Sequence, residues 1–520
     1  MTAGTTEEPQ KLDRRVIEIG GVLIAGMLMP VLDSTIVNVA LDSLSRDLDA
    51  SLPDTQWVVT GYLLAVAIVI PITGWAMDRF GSKRTWVTAV TLFALGSALC
   101  ATAWSIESLI AFRILQGLGG GMLLPAGQAM LARAAGPANM GRAMTILGVP
   151  MLIGPILGPV LGGLLVEYGS WHWIFLVNVP VGVLAVALAL WRLPGERDLY
   201  DPGRLDTLGL ALLSLSLASL LYGLSEASSK GGFGEPTVLW PLAGGVVGLG
   251  LYTWHSLAAG ARSIIDVRLL GDRLFASGAL ALFLTAIGLF GGMLLLPLYY
   301  QTVRGEGALD AGLLLVPQGL GAIISMVVAG RLTDRLGAGY VVPVGVALAM
   351  LGTLPFTQLD IDTSYVWLSC ALFVRGMGLG AIMMPTISSA YQHLSKDRVS
   401  RASPTLSAIQ QVGASLGSAL LVTVLTRQFA DRMGAEGVSS QGGGADKISS
   451  LSPRARQVVG PELADAYGSA FWVAFALTAL ILVPAFFLPR LKRGERGKAG
   501  QAGAPDRPGQ PGQDQSPPPS

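Results

Sequence analysis

The chain has 520 residues, of which 52% are hydrophobic and 13% are charged, and its formal net charge is +1. Soluble globular domains carry about 25% charged residues, so this sequence has too little polar surface for a soluble protein. Its near-neutral charge gives no reason to expect a nucleic-acid partner. The apolar residues come in blocks of about 20, the length with which an α-helix crosses a bilayer. The composition therefore predicts an all-α polytopic membrane protein embedded in a lipid bilayer.

The apolar blocks predict fourteen transmembrane helices. A polar segment precedes the first block, and a tail rich in Pro, Gly and Gln follows the last one. Such a tail cannot form a packed core and is predicted to be disordered. The predicted spans are 19–41, 57–77, 86–103, 109–131, 144–166, 173–190, 208–224, 238–257, 274–299, 311–329, 340–356, 366–384, 404–426 and 471–488.

Lysine and arginine concentrate in the loops after spans two, four, eight, ten and twelve, and in the tail. In a chain with fourteen spans all of these segments lie on one side of the membrane, and short loops rich in Lys and Arg face the cytoplasm. Loops on the other side, such as DIDTSY, are acidic or neutral. The sequence therefore predicts a multi-pass protein of the plasma membrane (the inner membrane where there are two) with both termini in the cytoplasm.

Two sequence patterns occur twice in the same order. GWAMDRFGSKR matches GRLTDRLGAG, which pairs Asp78 with Asp334 at a distance of 256 positions and places Arg335 in the second loop. RILQGLGGGMLLP matches RGMGLGAIMMP, which pairs Arg113 with Arg375 at 262 positions. Parallel repeats of this kind occur in transporters whose halves move about a site at mid-membrane. The repeat divides the chain into a cytoplasmic segment at 1–18, a six-helix half at 19–193, two inserted helices with linkers at 194–270, a second six-helix half at 271–490 with a long external loop at 427–468, and the tail at 491–520.

The first repeated motif lies in the loop after span two. Gly74 permits two helices to approach closely, and Asp78 can meet a helix N-terminus of the other half or an arginine. An ordinary basic loop, with Asp78 as an incidental counter-charge, is the alternative interpretation. The motif also contains one further glycine and three cations that favour the cytoplasmic side, namely Gly81, Arg79, Lys83 and Arg84.

The fifth span contains GVPMLIGPILGPVLGG. Its glycines recur every four residues and form one bare stripe, against which a neighbouring helix can pack closely. Each proline removes a backbone donor and is expected to bend the helix. Generic packing of small residues is the alternative to a functional motif. The residues concerned are Gly154, Pro155, Gly158, Pro159, Gly162 and Gly163.

These motifs resemble those of the major facilitator superfamily, and within it those of the fourteen-span drug:proton antiporters. The resemblance extends over residues 17–490 and includes LDSTIVNVAL in span one and WHWIFLVNVP at span six, where His172 stands in place of the family's usual arginine. It implies the major facilitator fold, with two six-helix halves, two inserted helices and 14 transmembrane helices in all. It further implies that the loop motif acts as a conformational latch and that the glycine-proline stripe is the antiporter motif of exporters.

Asp33 is the only charged residue within 19–41. An Asp at the centre of a membrane helix costs about 2.5–3.5 kcal/mol on insertion scales, so a function is expected for it. Arg113 lies at a comparable depth in span four, and the resemblance implies that both helices line the cavity. Burial and a nearby arginine act in opposite directions on a carboxyl's protonation, which would suit a proton-coupling site. A purely structural salt bridge and direct binding of a cationic substrate are the alternatives.

The predicted function is proton-driven efflux of amphipathic or aromatic small molecules, such as drugs, antibiotics and dyes, by alternating access. The chain has no nucleotide-binding loop, so the energy has to come from an ion gradient or from the substrate itself, and no cofactor is expected. The expected partners are a small-molecule substrate, protons and lipid, with a monomer as the working unit. No enzyme is predicted, because no nucleophile–base pair or metal-ligand cluster is recognisable. A dedicated exporter of an endogenous metabolite that gives self-resistance, and a membrane sensor or scaffold without transport, are the alternatives.

Overall fold

The computed structural model describes residues 13–136, 139–195, 204–392, 394, 396–435 and 453–490, and these ranges contain helices but no strand. Short 3₁₀ segments follow the tenth and fourteenth helices. The predicted tail at 491–520 and most of the segment at 1–18 lie outside the described residues. The helices are α1 (Arg14–Asp47), α2 (Leu52–Val69), α3 (Ile72–Phe80), α4 (Ser82–Cys100), α5 (Ile106–Ala135), α6 (Met140–Tyr168), α7 (His172–Leu176), α8 (Asn178–Arg192), α9 (Thr207–Lys230), α10 (Pro236–Ala259), α11 (Arg273–Thr302), α12 (Ala308–Leu313), α13 (Val316–Leu336), α14 (Ala338–Thr353), α15 (Tyr365–Gln392), α16 (Lys396–Ala435), α17 (Pro453–Leu480) and α18 (Leu482–Ala485).

Among the described residues, eleven helical segments are long and apolar enough to cross a membrane, and α2 with α3 makes a twelfth if the bent pair counts as one span. The axis bends by 54° between these two helices, where Pro71 cannot donate a backbone hydrogen bond. The predicted third and fifth spans coincide with α4 and α6, which are not among those candidates. The fold thus contains eleven or twelve apolar candidate spans, and the total of fourteen stays a prediction.

Helix ends follow local sequence signals. Ser105 and Ser108 form a capping box at the start of α5, and the Asp272 side chain accepts the Leu274 and Phe275 amides at the start of α11. These side chains satisfy amide groups that have no partner within the helix. The predicted external loop at 427–468 is shorter than expected, because α16 continues to Ala435 and α17 begins at Pro453. Residues 436–452 lie outside the described residues.

The two halves use the same helix pairs. In the first half α1 packs along α6, and α5 packs against α2 and α4. In the second half α11 packs along α16, and α15 packs against α13 and α14. The loops after α3 and α13 even share a glycine with left-handed backbone, with φ of 86° at Gly81 and 87° at Gly337, a conformation that glycine adopts without strain. The sequence repeat therefore corresponds to a structural repeat.

The halves meet through α6 against α13 and through α16 against α3 and α5. One apolar cluster spans this boundary and is rich in methionine, including Met144 and Met151 on α6, Met326 on α13 and Met384 on α15. We call the end of the bundle that holds the loops around Arg79 and Arg335 the basic end.

The inserted helices pack mainly on each other. α9 also contacts α2 of the first half and α16 of the second half, so it bridges the two. The Ser214 hydroxyl of α9 donates to Ile68 O at 2.7 Å, next to the bend in the second span. α10 lies outside α9 and leaves Trp240 and Trp254 largely exposed, as expected for a lipid-facing helix.

Candidate functional site

A buried polar network lies inside the first half. Asp33 on α1 and Arg113 on α5 are fully buried and form an ion pair. Arg113 Nη1 also donates to Gln116 Oε1 at 2.7 Å, and Gln116 Nε2 donates to Asp33 Oδ1 at 2.9 Å. Asn178 Nδ2 on α8 donates to the same carboxylate oxygen at 3.2 Å. The structure thus brings together the two residues that the sequence predicted to face each other.

The guanidinium group is enclosed on its other sides. Arg113 Nε donates to Val58 O at 3.1 Å, and Arg113 Cζ lies 4.2 Å from the centre of the Tyr62 ring. Ser97 on α4 accepts from Gln116 and from Asn178, each at 3.1 Å. Removing one partner of such a pair would leave a buried charge uncompensated, at a cost of about 3–5 kcal/mol. The network therefore depends on the presence of both charged partners.

The sequence interpretation missed Asn178 and Ser97 and did not place Gln116 at the pair. Gln116 follows Arg113 by three residues, a spacing that puts both on one helix face. Asn178 lies in WHWIFLVNVP, a motif quoted for its resemblance, where His172 is instead at the helix edge with Nδ1 3.2 Å from Ser170 Oγ. The asparagine of that motif had no assigned role, and it was the feature of the sequence that could have indicated this partner of Asp33.

The first aspartate of the repeated loop motif joins the two halves at the basic end. Asp78 Oδ1 accepts from Arg133 Nη2 of the same half at 3.1 Å. Asp78 Oδ2 accepts from Ser400 Oγ on α16 of the other half at 3.0 Å. Gly74 lies so close to the Ser400 carbonyl that an added Cβ would collide with it. The contact agrees with the expectation that this loop meets the opposite half.

The second aspartate makes the reciprocal contact. Asp334 on α13 accepts from the backbone amides of Gly141 at 2.8 Å and Arg142 at 3.3 Å, and from Arg142 Nε at 2.9 Å. These amides belong to the first turn of α6, where backbone donors lack helical partners and favour negative charge. A Cβ on Gly330 would lie 2.9 Å from Gly141 O. Each half therefore places one aspartate on the opposite half.

The cations of the loop motif have separate positions. Lys83 Nζ donates to the carbonyls of Leu190 and Leu193 at the end of α8, each at 2.8 Å. These carbonyls lack helical donors, so the lysine closes the end of that helix. The remaining predicted cations of the two loops are exposed, namely Arg79, Arg84 and Arg335.

The predicted glycine stripe of α6 packs against α1, the helix that holds Asp33. Added Cβ atoms on Gly154 and Gly158 would collide with Val31 and Thr35, and one on Gly162 would lie 3.1 Å from Ile36 O. A Cβ on Gly163 would meet no atom within 4 Å, so this glycine does not belong to the contact. The helix continues through both prolines, while the side chains of Pro155 and Pro159 lie outside what the structure describes.

Packing of the second half places Arg375 at the position of Gln116 rather than at that of Arg113. An added Cβ on Gly96 would lie 2.7 Å from Gln116 Cα, and one on Gly352 would lie 2.6 Å from Arg375 Cα. The two glycines are 256 positions apart, like the paired aspartates. Alignment of the two motif sequences thus pairs Arg375 with Arg113, whereas the packing of the helices pairs Arg375 with Gln116, three residues further along α5.

Comparison with known proteins agrees with this architecture. Residues 23–418 match the family described as the Major Facilitator Superfamily. The chain is 39% identical over 501 residues to the multidrug resistance protein B homolog of Mycobacterium tuberculosis, covering 94% of this chain and 93% of that protein. It is 31% identical over 474 residues to MdtD of Cronobacter sakazakii, named as a multidrug resistance protein, covering 90% and 93%. Its fold is similar to that of the proton:xylose symporter XylE, with a TM-score of 0.58 and 15% identity, over 93% of this chain and 98% of that one.

Proposed function

The chain belongs to the major facilitator superfamily, so it is a membrane transporter and not an enzyme. We propose that it exports amphipathic or aromatic small molecules in exchange for protons. Its relatives named for multidrug resistance support drug efflux in general. Proteins of this superfamily bind small-molecule substrates and need no cofactor. The proton gradient is therefore the proposed source of energy, and alternating access is the proposed mechanism.

Asp33 and Arg113 are the proposed coupling residues, and the burial of this pair is the observation that carries the proposal. An ionisable residue inside a membrane helix is by default a candidate for function. Protonation of Asp33 would remove its charge and leave the arginine with Gln116, the Val58 carbonyl and the Tyr62 ring as partners. The carboxylate belongs to α1 and accepts hydrogen bonds from side chains of α5 and α8. Its protonation would therefore change how these three helices are held together.

A change at α1 has a direct route to the other half. α1 packs on the glycine stripe of α6, and the first turn of α6 is held by Asp334 of the second half. Opening the basic end requires that this contact and the Asp78–Ser400 hydrogen bond both break. We therefore assign Asp78 and Asp334 as two reciprocal latches.

One proton moving inward yields about 2.3 kcal/mol per 100 mV. Since 1.4 kcal/mol corresponds to a factor of ten, this would support about fifty-fold concentration of a neutral substrate. The proposal includes fourteen membrane crossings, both termini in the cytoplasm, the basic end on the cytoplasmic side, and a monomer as the working unit. Support comes from the lysines and arginines of the loops and from helices at the third and fifth predicted spans.

The test is Asp33→Asn in inside-out vesicles that carry equal amounts of protein. Uptake of a dye driven by an imposed proton gradient is expected to fall to the level of empty vesicles, while binding of a neutral dye survives. Asp54→Asn, which changes an exposed acid of the same half, is the control and should transport normally. If Asp33→Asn still concentrates the dye at the rate of the unaltered protein, Asp33 does not couple transport and the ion pair is structural.

A further inference from the structure

Arg375 is a buried cation in the second half. It lies ten residues after Tyr365, the start of α15, so it is about 15 Å along that helix at 1.5 Å per residue. Its side chain is 3% exposed, and Nη1 donates to Gln318 Oε1 at 2.7 Å. Within the described parts of the chain no carboxylate lies within ion-pair distance of this guanidinium. An arginine does not lose its proton in a protein, so the charge persists.

The first half offers a contrast, because its buried arginine is paired with a carboxylate. Arg375 takes the place of Gln116, which it follows by 259 positions. Gln116 Nε2 contacts the Asp33 carboxylate, and Arg375 Nη2 lies where a side chain on Gly292 would begin. The guanidinium thus lies against α11 at a position that has no side chain.

The surroundings of this position are apolar and lie at the boundary between the halves. Phe290 and Met293, on either side of Gly292, pack against the cluster that joins the halves. That cluster includes Met326 and Met384 of the second half. Methionine side chains are flexible and polarisable, so they can adapt to differently shaped apolar groups. A ligand at this position would meet one fixed positive charge and an adaptable apolar wall.

We propose that Arg375 binds the anionic group of an amphipathic organic anion, a carboxylate or a sulfonate, and that the ligand's apolar part lies against the methionine cluster. Guanidinium groups bind such planar or multivalent oxygen groups through paired hydrogen bonds. In the second half the ligand supplies the negative charge that Asp33 supplies in the first. This inference rests on the proposed export function and names a class of substrate for it.

The probes are two fluorescent molecules with the same aromatic skeleton: 8-anilinonaphthalene-1-sulfonate, which is an anion, and N-phenyl-1-naphthylamine, which is neutral. Binding is measured at equilibrium, without a proton gradient, to the purified full-length protein in lipid nanodiscs, after subtraction of empty nanodiscs. Arg375→Gln is expected to lower the ratio of anion affinity to neutral-probe affinity at least tenfold. Arg331→Gln, which removes an exposed arginine of the same half, is expected to leave the ratio unchanged.

A second variant supplies the missing carboxylate from the protein. In Gly292→Asp the three atoms nearest to the new Cβ would all belong to the flexible guanidinium end of Arg375, so the two side chains can pair and the anion is expected to lose at least tenfold in affinity. Gly292→Ala adds the same first carbon without charge and should keep the anion's advantage. Thermal unfolding midpoints establish that each variant is folded.

Two results would overturn the proposal. The ratio could stay the same in both Arg375→Gln and Gly292→Asp, whether neither probe loses affinity or both lose it equally, which would make Arg375 a packing residue that binds Gln318. The unaltered protein could also bind neither probe saturably. Because this assay uses no gradient, failure of proton coupling in Asp33→Asn vesicles would not affect it, and each idea can fail without the other.

Discussion

Asp334→Asn is expected to open the basic end of the bundle. Asp334 Oδ1 accepts from Gly141 N at 2.8 Å and Oδ2 accepts from Arg142 Nε at 2.9 Å. An asparagine keeps an acceptor for one of these donors but places an amide donor opposite the other. A hydrogen bond to a charged group contributes about 1.5–3 kcal/mol. Losing one would raise the open population about 10- to 150-fold, since 1.4 kcal/mol is a factor of ten.

Ser403 on α16 can report this opening, because it is fully buried and its hydroxyl donates to Pro125 O of the other half at 2.7 Å. The assay introduces Ser403→Cys after replacing the native Cys100 and Cys370. A membrane-impermeant maleimide added to inside-out vesicles should label this cysteine slowly. Asp334→Asn should raise the labelling rate by the factor calculated above.

Asp266→Asn is the matched control at the same end. The Asp266 side chain accepts from Arg268 N at 3.0 Å at the start of a 3₁₀ segment. Asparagine caps helices about as well as aspartate, so the labelling rate should not change. An unchanged rate in Asp334→Asn, or an equal rise in both variants, would refute the assignment of Asp334 as a latch.

Three further outcomes follow from the same geometry. Reporter fusions after Arg79 and after residue 497 should both report the cytoplasm, and an external signal from the tail would show that the span count is wrong. Asp78→Asn should cut dye efflux sharply at normal membrane expression, because it weakens the hydrogen bond to the opposite half; normal efflux would reduce the loop to a topology signal. Gly158→Leu should lower transport at least tenfold by forcing α1 from α6, whereas Gly163→Ala, where no atom is near, should transport normally; equal activity of both would contradict the stripe's role.

The sequence predicted the parts of the site that motifs and depth define. Asp33 is conspicuous because a lone acid in an apolar span is expensive, and Arg113 matches it in depth. The amides around them were not predictable as partners, because a glutamine or asparagine in a membrane helix serves equally well as a link between helices. Asn178 in particular comes from a helix five spans away, and only packing brings it to Asp33.

Register in the second half shows a second limit. Aligning the two arginine motifs pairs Arg113 with Arg375. Sequence alone cannot correct this pairing, because successive turns of a glycine-rich helix have similar residues. The close approaches of Gly96 and Gly352 to α5 and α15 fix the register instead and pair Arg375 with Gln116. The bridging position of α9 was likewise open, because an apolar inserted helix carries no signal for the helices that it contacts.

The position of α6 explains why its glycines matter for more than close packing. Protein interiors are close-packed, so a helix that moves must carry its neighbour or open a gap. At Gly154, Gly158 and Gly162 the backbone of α6 lies directly against α1, so at these positions no α6 side chain separates the two helices. A shift of α1 after a change at Asp33 would therefore move α6 as well. Asp334 of the other half binds the first turn of α6. The same shift would therefore act directly on this latch, and no other helix would have to move first.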